Sequence, residues 1–449
     1  MRPRFKIKWN GPVIPAEVVL RTAFFIEDPS DVFAFLDALR PLNVLGPLEY
    51  LWQLGLIKKH SEIWPALTLT LEDNAVQVTS RRSYRRFAMY YSVVRVDHVA
   101  PLRWLKSSEF NPHAQWHLSL HNTKSLALWH EWIGRRRITL LDMSKSSRAA
   151  NQDNLSDILP RLTDLTALKL HVVTSSAMAS LLSIAVQSEH LVQLELEYDE
   201  AINRREDRIE ISSSMASNAM QWLKTHRVQV LKLSRWHVED RALKQELYRS
   251  IFTCPTLDTL VCDKVCLTDV DFSHFTLSMR SLTLRACSLS AQQAEALAGR
   301  LVGSPVVHLA VERLYANTLP ALTELFRLLR LTSIEVLDIS MCYFYAWHLL
   351  TPHLRLSPLR TLIARNVDLS VDAVQVIASA IQANETIDAV DVSDNNIRFD
   401  GVRALIEAAT HPDRPERMKW LQCFNCGIDE TELKQLQELA ARHSAELRA

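Results

Sequence analysis

Glycine is scarce: eight in 449 residues, at positions 11, 46, 55, 134, 299, 303, 401 and 427. No two fall in a phosphate-cradling arrangement, since neither GxxxxGK[ST] nor GxGxxG occurs. This excludes the common nucleotide-binding loops. Charge of one sign is also missing, because Lys+Arg and Asp+Glu both number 51. A generic polyanion binder carries a basic excess, so nucleic acid is disfavoured as the main partner. No apolar run approaches the eighteen or so residues that span a bilayer. The opening MRPRFKIKWNGP has no apolar core, so it does not read as a secretory signal. Seven cysteines, an odd count without such a signal, imply reduced thiols in the cytoplasm or nucleus.

What is present is self-similarity. Leucine doublets on alternate positions recur from Leu168 through Leu194, Leu231, Leu260, Leu282, Leu309, Leu337, Leu362 and Val390 to Leu421. They lie 22 to 37 residues apart, about 28 on average, as in leucine-rich repeats. The template L-x-L-x-x-N/C-x-L places Asn395, Cys287, Cys342 and Cys426 in its Asn/Cys slot. Val173, Trp236, Val265, Leu314 and Val367 depart from it. The pair Cys423 and Cys426 has the spacing of many zinc or redox sites. Here the repeat accounts for it, with Cys423 in the second apolar slot and Cys426 in the Asn/Cys slot, both as buried structural thiols. Cys262 and Cys266 make the other close pair, and no second CxxC or HxxxH completes a four-ligand set.

Helical periods lie between the doublets, at 291–302, 371–384 and 401–410. Ser290 with Gln293, and Asp429 with Glu432, stand in capping-box register. The second box opens residues 429–443, an amphipathic segment suited to closing an array. The pattern predicts an α/β leucine-rich-repeat domain over 158–449. The charged stretch 198–214 reads as an excursion. The strand–turn–helix repeat resembles the ribonuclease-inhibitor-like leucine-rich repeats. That resemblance implies a horseshoe with parallel strands on the concave side and helices outside.

The N-terminal third differs, holding seven of eleven tryptophans by position 132. VIPAEVVLRTAFFIEDPSDVFAFLDALR, residues 13–40, predicts two apolar helices broken at EDPSD, with Pro15 where a helix can begin. Ile14, Pro15, Glu17, Val18 and Val19, then Ile26, Asp31 and Val32, then Leu36 and Leu39, resemble an F-box. The usual Val-Cys-x-x-Trp ending is absent. The resemblance covers about 28 residues within a helical segment placed at 13–56. It implies docking to a Skp-type adaptor of a cullin–RING ubiquitin ligase, with Ile14, Pro15, Val18, Val19, Ile26 and Leu36 as docking residues. The same periodicity also fits a helical cap over the first repeat. Residues 57–157 read as an irregular connecting region with strand-like stretches at 63–71, 116–122 and 136–144, which suit degenerate first repeats.

The basic runs 81–87 and 134–138 are short and read as solvated faces. No HExxH, nucleophile elbow or other catalytic constellation occurs, and no cofactor or metal is called for. The recognition surface is placed on the outward strand positions, with Arg235, Arg285, Arg313, Asp338, Arg365, Asp391 and Asp394 as candidate contacts. Mixed charge there suits a protein partner. The expectation is a non-catalytic, monomeric substrate-recognition subunit of a ubiquitin ligase that holds a target protein. The alternative is a repeat scaffold or regulator without a ubiquitin role.

Overall fold

The computed structural model describes residues 14–75, 78–98, 100–119, 136–144, 158–171, 175–197, 208–313, 319–343, 347–412, 414, 418–442 and 446–448. The calls at Val173, Leu314, Trp129 and Trp132, and most of the excursion 198–214, fall outside them. The chain forms two compact units, 1–171 and 172–449.

The first unit opens with α1 (Ala16–Ala23) and α2 (Pro29–Leu39). The EDPSD break is itself a cap. Asp28 accepts hydrogen bonds from the backbone N–H of Ser30 and Asp31, and Pro29 takes the first helical position, where no N–H is needed. α3 (Leu48–Gly55) packs beside α2, and the short α4 (His60–Ile63) leads into β1 (Leu67–Leu69). Of the apolar stripe predicted for α2, Val32, Phe33 and Leu36 are buried and Leu39 is half-buried; Leu48, Leu51 and Leu54 of α3 are buried as well. Then follow α5 (Val78–Phe87), β2 (Val93–Val96), β3 (Gln115–Ser119), β4 (Arg137–Met143) and β5 (Ala167–His171). The strands pair in sequence order, all parallel, from β1 to β5.

Within 57–157, β1, β3 and β4 lie at the strand-like stretches 63–71, 116–122 and 136–144, and with β2 they pair in parallel. The compact units divide after His171, so the doublet at Leu168 belongs with the N-terminal unit. β2 escaped the sequence reading. Its VVRV has only one polar residue and no flanking slot residue.

In the second unit, β6 (Gln193–Glu197) is followed by the short β7 (Ile209–Glu210), then β8 (Val230–Ser234) and the short β9 (Trp236–His237). β10 (Thr259–Asp263), β11 (Ser281–Arg285), β12 (His308–Glu312) and β13 (Val336–Asp338) come next. The series ends with β14 (Thr361–Ile363), β15 (Ala389–Asp391), β16 (Trp420–Gln422) and β17 (Glu446–Arg448). Apart from β7 and β9, which pair with each other, these strands form one parallel series. Its register is that of the leucine doublets. Leu194 faces Leu231, then Leu260, Leu282, Leu309, Leu337, Leu362, Val390, Leu421 and Leu447. Every member of that column is buried save Leu447, at the end of the series, which is half-buried. Helices return the chain between rungs, as at Arg241–Phe252, Ala291–Leu301 and Val371–Ala383. The chain is an α/β leucine-rich-repeat solenoid.

The Asn/Cys slot has one geometry throughout. Asn395 Nδ2 donates to the Ala364 carbonyl at 2.8 Å, Cys287 Sγ to Cys262, Cys342 Sγ to Val311 and Cys426 Sγ to Val392. Each acceptor is the third residue of the motif one rung back. Cys423 and Cys426 are both buried, and burial pushes their thiols up to about 12 and about 11. Both predicted capping boxes are present, Ser290 with Gln293 and Asp429 with Glu432.

In each rung from β8 to β16 one residue adopts a left-handed backbone just after the strand, and none of them is glycine. They are Arg235, Lys264, Ala286, Arg313, Met341, Asn366, Asp394 and Asn425, with φ between 47° and 61°. This conformation costs an L-residue about 1–2 kcal/mol. A ladder holds it in place. The N–H of Arg235 donates to the Asp263 carbonyl, Lys264 to Arg285, Ala286 to Glu312, Arg313 to Ser340, Met341 to Arg365, Asn366 to Ser393 and Asp394 to Phe424. The repeat therefore makes its tight turn without the residue that usually makes it.

Candidate functional site

Two surfaces stand out, one in each unit. The first is on α1. Pro15 caps this helix with φ −60° and no side-chain bond, so the helix starts on the proline ring. Val19 and Ala23 point into the unit's core, at 2% and 0% exposure. On the other side Ile14 is 44% exposed, Val18 50% and Phe25 86%. Val18 lies on the helix itself, Ile14 just before its extended N-cap Pro15 and Phe25 in the exit turn. Glu17 and Arg21 form an exposed ion pair at 2.7 Å on the same helix.

The six expected docking residues therefore split. Ile14, Pro15 and Val18 are exposed, and Ile26 is half-buried with its carbonyl taking the Trp64 indole N–H at 2.6 Å. Val19 and Leu36 are corrections: both are core residues of the unit, and an apolar side chain packed there offers a partner nothing. Phe25, missed by the sequence reading, is the most exposed large apolar side chain described. Its signal was its position directly after the helical stripe.

The second surface is made by side chains on the strands and on the turns that directly follow them. Arg285 lies opposite Glu312 in register and pairs with it through Nε and Nη2, at 2.7 and 3.1 Å. Arg313 Nε meets Met341 Sδ at 2.8 Å. Arg365 is exposed and pairs with Asp391 at 2.5 Å. Arg235 is half-buried, and exposed Asp394 accepts from Asn425 Nδ2. Two pairs of opposite charge, Arg285 with Glu312 and Arg365 with Asp391, thus bridge neighbouring rungs.

The two strand aspartates are corrected. Asp391 is fully buried, its carboxylate held by the Ser393 N–H and the Arg365 side chain. Asp338 is half-buried and accepts from both the N–H and the hydroxyl of Ser340. Burial holds its carboxyl above the usual range, partly offset by those bonds. Both belong to a D-x-S turn that ends the strand, as does Asp142 with Ser144 in the first unit. They hold the turns that close their rungs.

One further cluster was invisible in the sequence. Register pairing of β7 with β9 brings Glu210 opposite His237, and Glu239 lies two residues on. Their ligand atoms fall within 4.8 Å of one another. Both glutamates are exposed to solvent, a setting in which such groups are common without an ion. Among the described residues no helix is long and apolar enough to cross a membrane.

No family model matches the chain. Among solved structures it is similar to a chain of the yeast Rad7–Elc1 complex, with TM-score 0.44 and 12% identity over 93% of this chain and 90% of that one. It is also similar to a chain of the TLR13–ssRNA13 complex, with TM-score 0.34 and 13% identity over 72% of this chain and 38% of that one. A protein from Bacteroides fragilis gives TM-score 0.32 and 11% identity over 66% and 72% of the two chains.

Proposed function

We propose that the chain is a non-catalytic interaction protein, acting as the substrate-recognition subunit of a cullin–RING ubiquitin ligase. In this reading α1 and its exit turn dock a Skp-type adaptor, and the open face of the repeat sheet holds a target protein. The observation that carries it is three exposed apolar side chains, Ile14, Val18 and Phe25, on α1 and at its two ends, while Val19 and Ala23 of the same helix are buried. Burying such side chains yields about 1.5–3 kcal/mol each, so three together make a hot spot. The repeat face contributes position only. It brings a bound protein near the ligase, and the covalent chemistry belongs to other subunits.

A second reading has its own support. α4 packs on β1, the Trp64 indole ties it to Ile26, and the Tyr91 hydroxyl donates to the Ile63 carbonyl at 2.7 Å. The helices thus close the first rung, as a cap does, and a repeat scaffold without a ubiquitin role needs only that.

Calorimetry with a purified Skp-type adaptor separates the two. The ligase reading expects binding that Val18→Asp with Phe25→Asp weakens at least about a hundredfold, from the lost apolar area. The variant should keep the wild-type melting temperature, since both side chains face water. No binding by folded wild type to an adaptor from the same organism overturns the ligase reading and leaves the scaffold.

A further inference from the structure

The helix Arg241–Phe252 buries a stripe at Lys244, Leu247, Tyr248 and Ile251, spaced three and four apart. A lysine in a core stripe is anomalous. Lys244 is only 5% exposed, and its ammonium lies 3.6 Å from Cys266 Sγ. Among the described residues no carboxylate pairs with it. A buried cation is costly unless an anion neutralises it. The group available for that role is the thiol. Cys266 is half-buried, and Thr268 Oγ1 lies 2.9 Å from its sulfur. Among the described residues, the fully buried Tyr248 hydroxyl, one turn along the same stripe, has no hydrogen-bond partner. Cys262, Cys287 and Cys266 are close enough to disfavour its ionisation, after burial itself.

We propose that Cys266 is a modification site, a thiolate held by the Lys244 ammonium that reacts with small oxidants of the hydroperoxide class. The sulfur attacks one peroxide oxygen. An S–O bond forms and the O–O bond breaks, sulfur loses two electrons, and the departing hydroxide (alkoxide from an organic hydroperoxide) takes a proton to become water (or the alcohol). The product is the sulfenic acid. The other cysteines are built differently. Cys254, Cys287, Cys342 and Cys426 each lie against a backbone carbonyl as donors, and all six besides Cys266 are buried. Burial pushes the Cys262 thiol well up and that of Cys287 up to about 12. At Cys266 burial also raises the value, but Thr268 and Lys244 outweigh it and the thiol ends below its ordinary range. Low thiol pKa with solvent access marks a reactive cysteine.

The test uses the full chain at pH 7 with hydrogen peroxide and dimedone as the sulfenic-acid trap, followed by trypsin. Cleavage after Lys264 and Arg280 isolates Cys266 as the sole cysteine of its peptide. The adduct should form there at least about tenfold faster than at any of the other six, and Lys244→Met should remove that advantage while Lys244→Arg keeps it. A smaller ratio, or a folded Lys244→Met protein with unchanged labelling, overturns the proposal. Should Lys244→Met not fold, the wild-type iodoacetamide rate at Cys266 decides. A half-maximum below the ordinary thiol value of about 8.5 supports the thiolate, and one at or above it rejects it.

Discussion

Asn395 does the work of several residues. Its amide donates to the carbonyls of Ala364, Val392 and Ser393 and accepts from the N–H groups of Val367 and Leu369, all buried. The cysteines in the same slot of other rungs repeat the bond to the previous rung. Asn395→Ala would strand two buried N–H donors at about 1–3 kcal/mol each, so a loss of about 3–4 kcal/mol is expected. Asn395→Cys would recover the one donated bond and should cost about 1 kcal/mol less. Urea midpoints of the three proteins check both figures. At this scale the slot was legible, because Asn and Cys recur at one offset from a leucine doublet. The left-handed column was not. Tight turns are usually read from glycine, and here Arg, Lys, Ala and Met hold that conformation because an inter-rung hydrogen bond imposes it. The burial of Asp391 was half-legible, since D-x-S recurs at Asp142, Asp338 and Asp391 and an aspartate two before a serine bonds its own backbone.

Among elements, the packing of α2 on α3 rests on a close approach. Gly55 ends α3 against the Phe33 ring, which stacks on His60 at 3.7 Å. A Cβ added at Gly55 would stand 2.1 Å from the ring. Phe33 is 4% exposed and held on its other face, so the ring cannot swing away. Gly55→Ala gains about 1 kcal/mol of helix propensity, but overpacking costs about 1–3 kcal/mol. We expect a net loss, seen as a lower melting temperature, and partial recovery when Phe33→Leu is added, the signature of coupled neighbours. The two helices and the turn between them could be read from the apolar stripes and from Pro29 with its capping aspartate. Which apolar residues face out could not. Val18 and Val19 are identical in type and adjacent in sequence, yet one is half exposed and the other buried. Only the packing of α1 decides between them. For the same reason Glu210 and His237 were invisible as neighbours, since β7 and β9 bring them together across 26 intervening residues.

On the scale of the array, each rung of the second unit touches only the rungs beside it, so stability is a chain of nearest-neighbour terms. The helix Glu430–Arg442 enters that chain from one end, packing on the helix Arg398–Ala409 and on β17, with Leu436 fully buried. A charge at Leu436 would be desolvated without a partner, so Leu436→Asp should detach this helix and cost several kcal/mol locally. The effect should then fade with distance along the ladder. Hydrogen–deuterium exchange should show protection lost in Glu430–Arg442, β17 and β16 and reduced in β15. β8 and β10, seven and six rungs before β16, should exchange as in the wild type. Equal loss across all these strands would mean that the unit unfolds as one block. The inter-rung ladder of left-handed residues would then couple the rungs more strongly than their shared leucine column does.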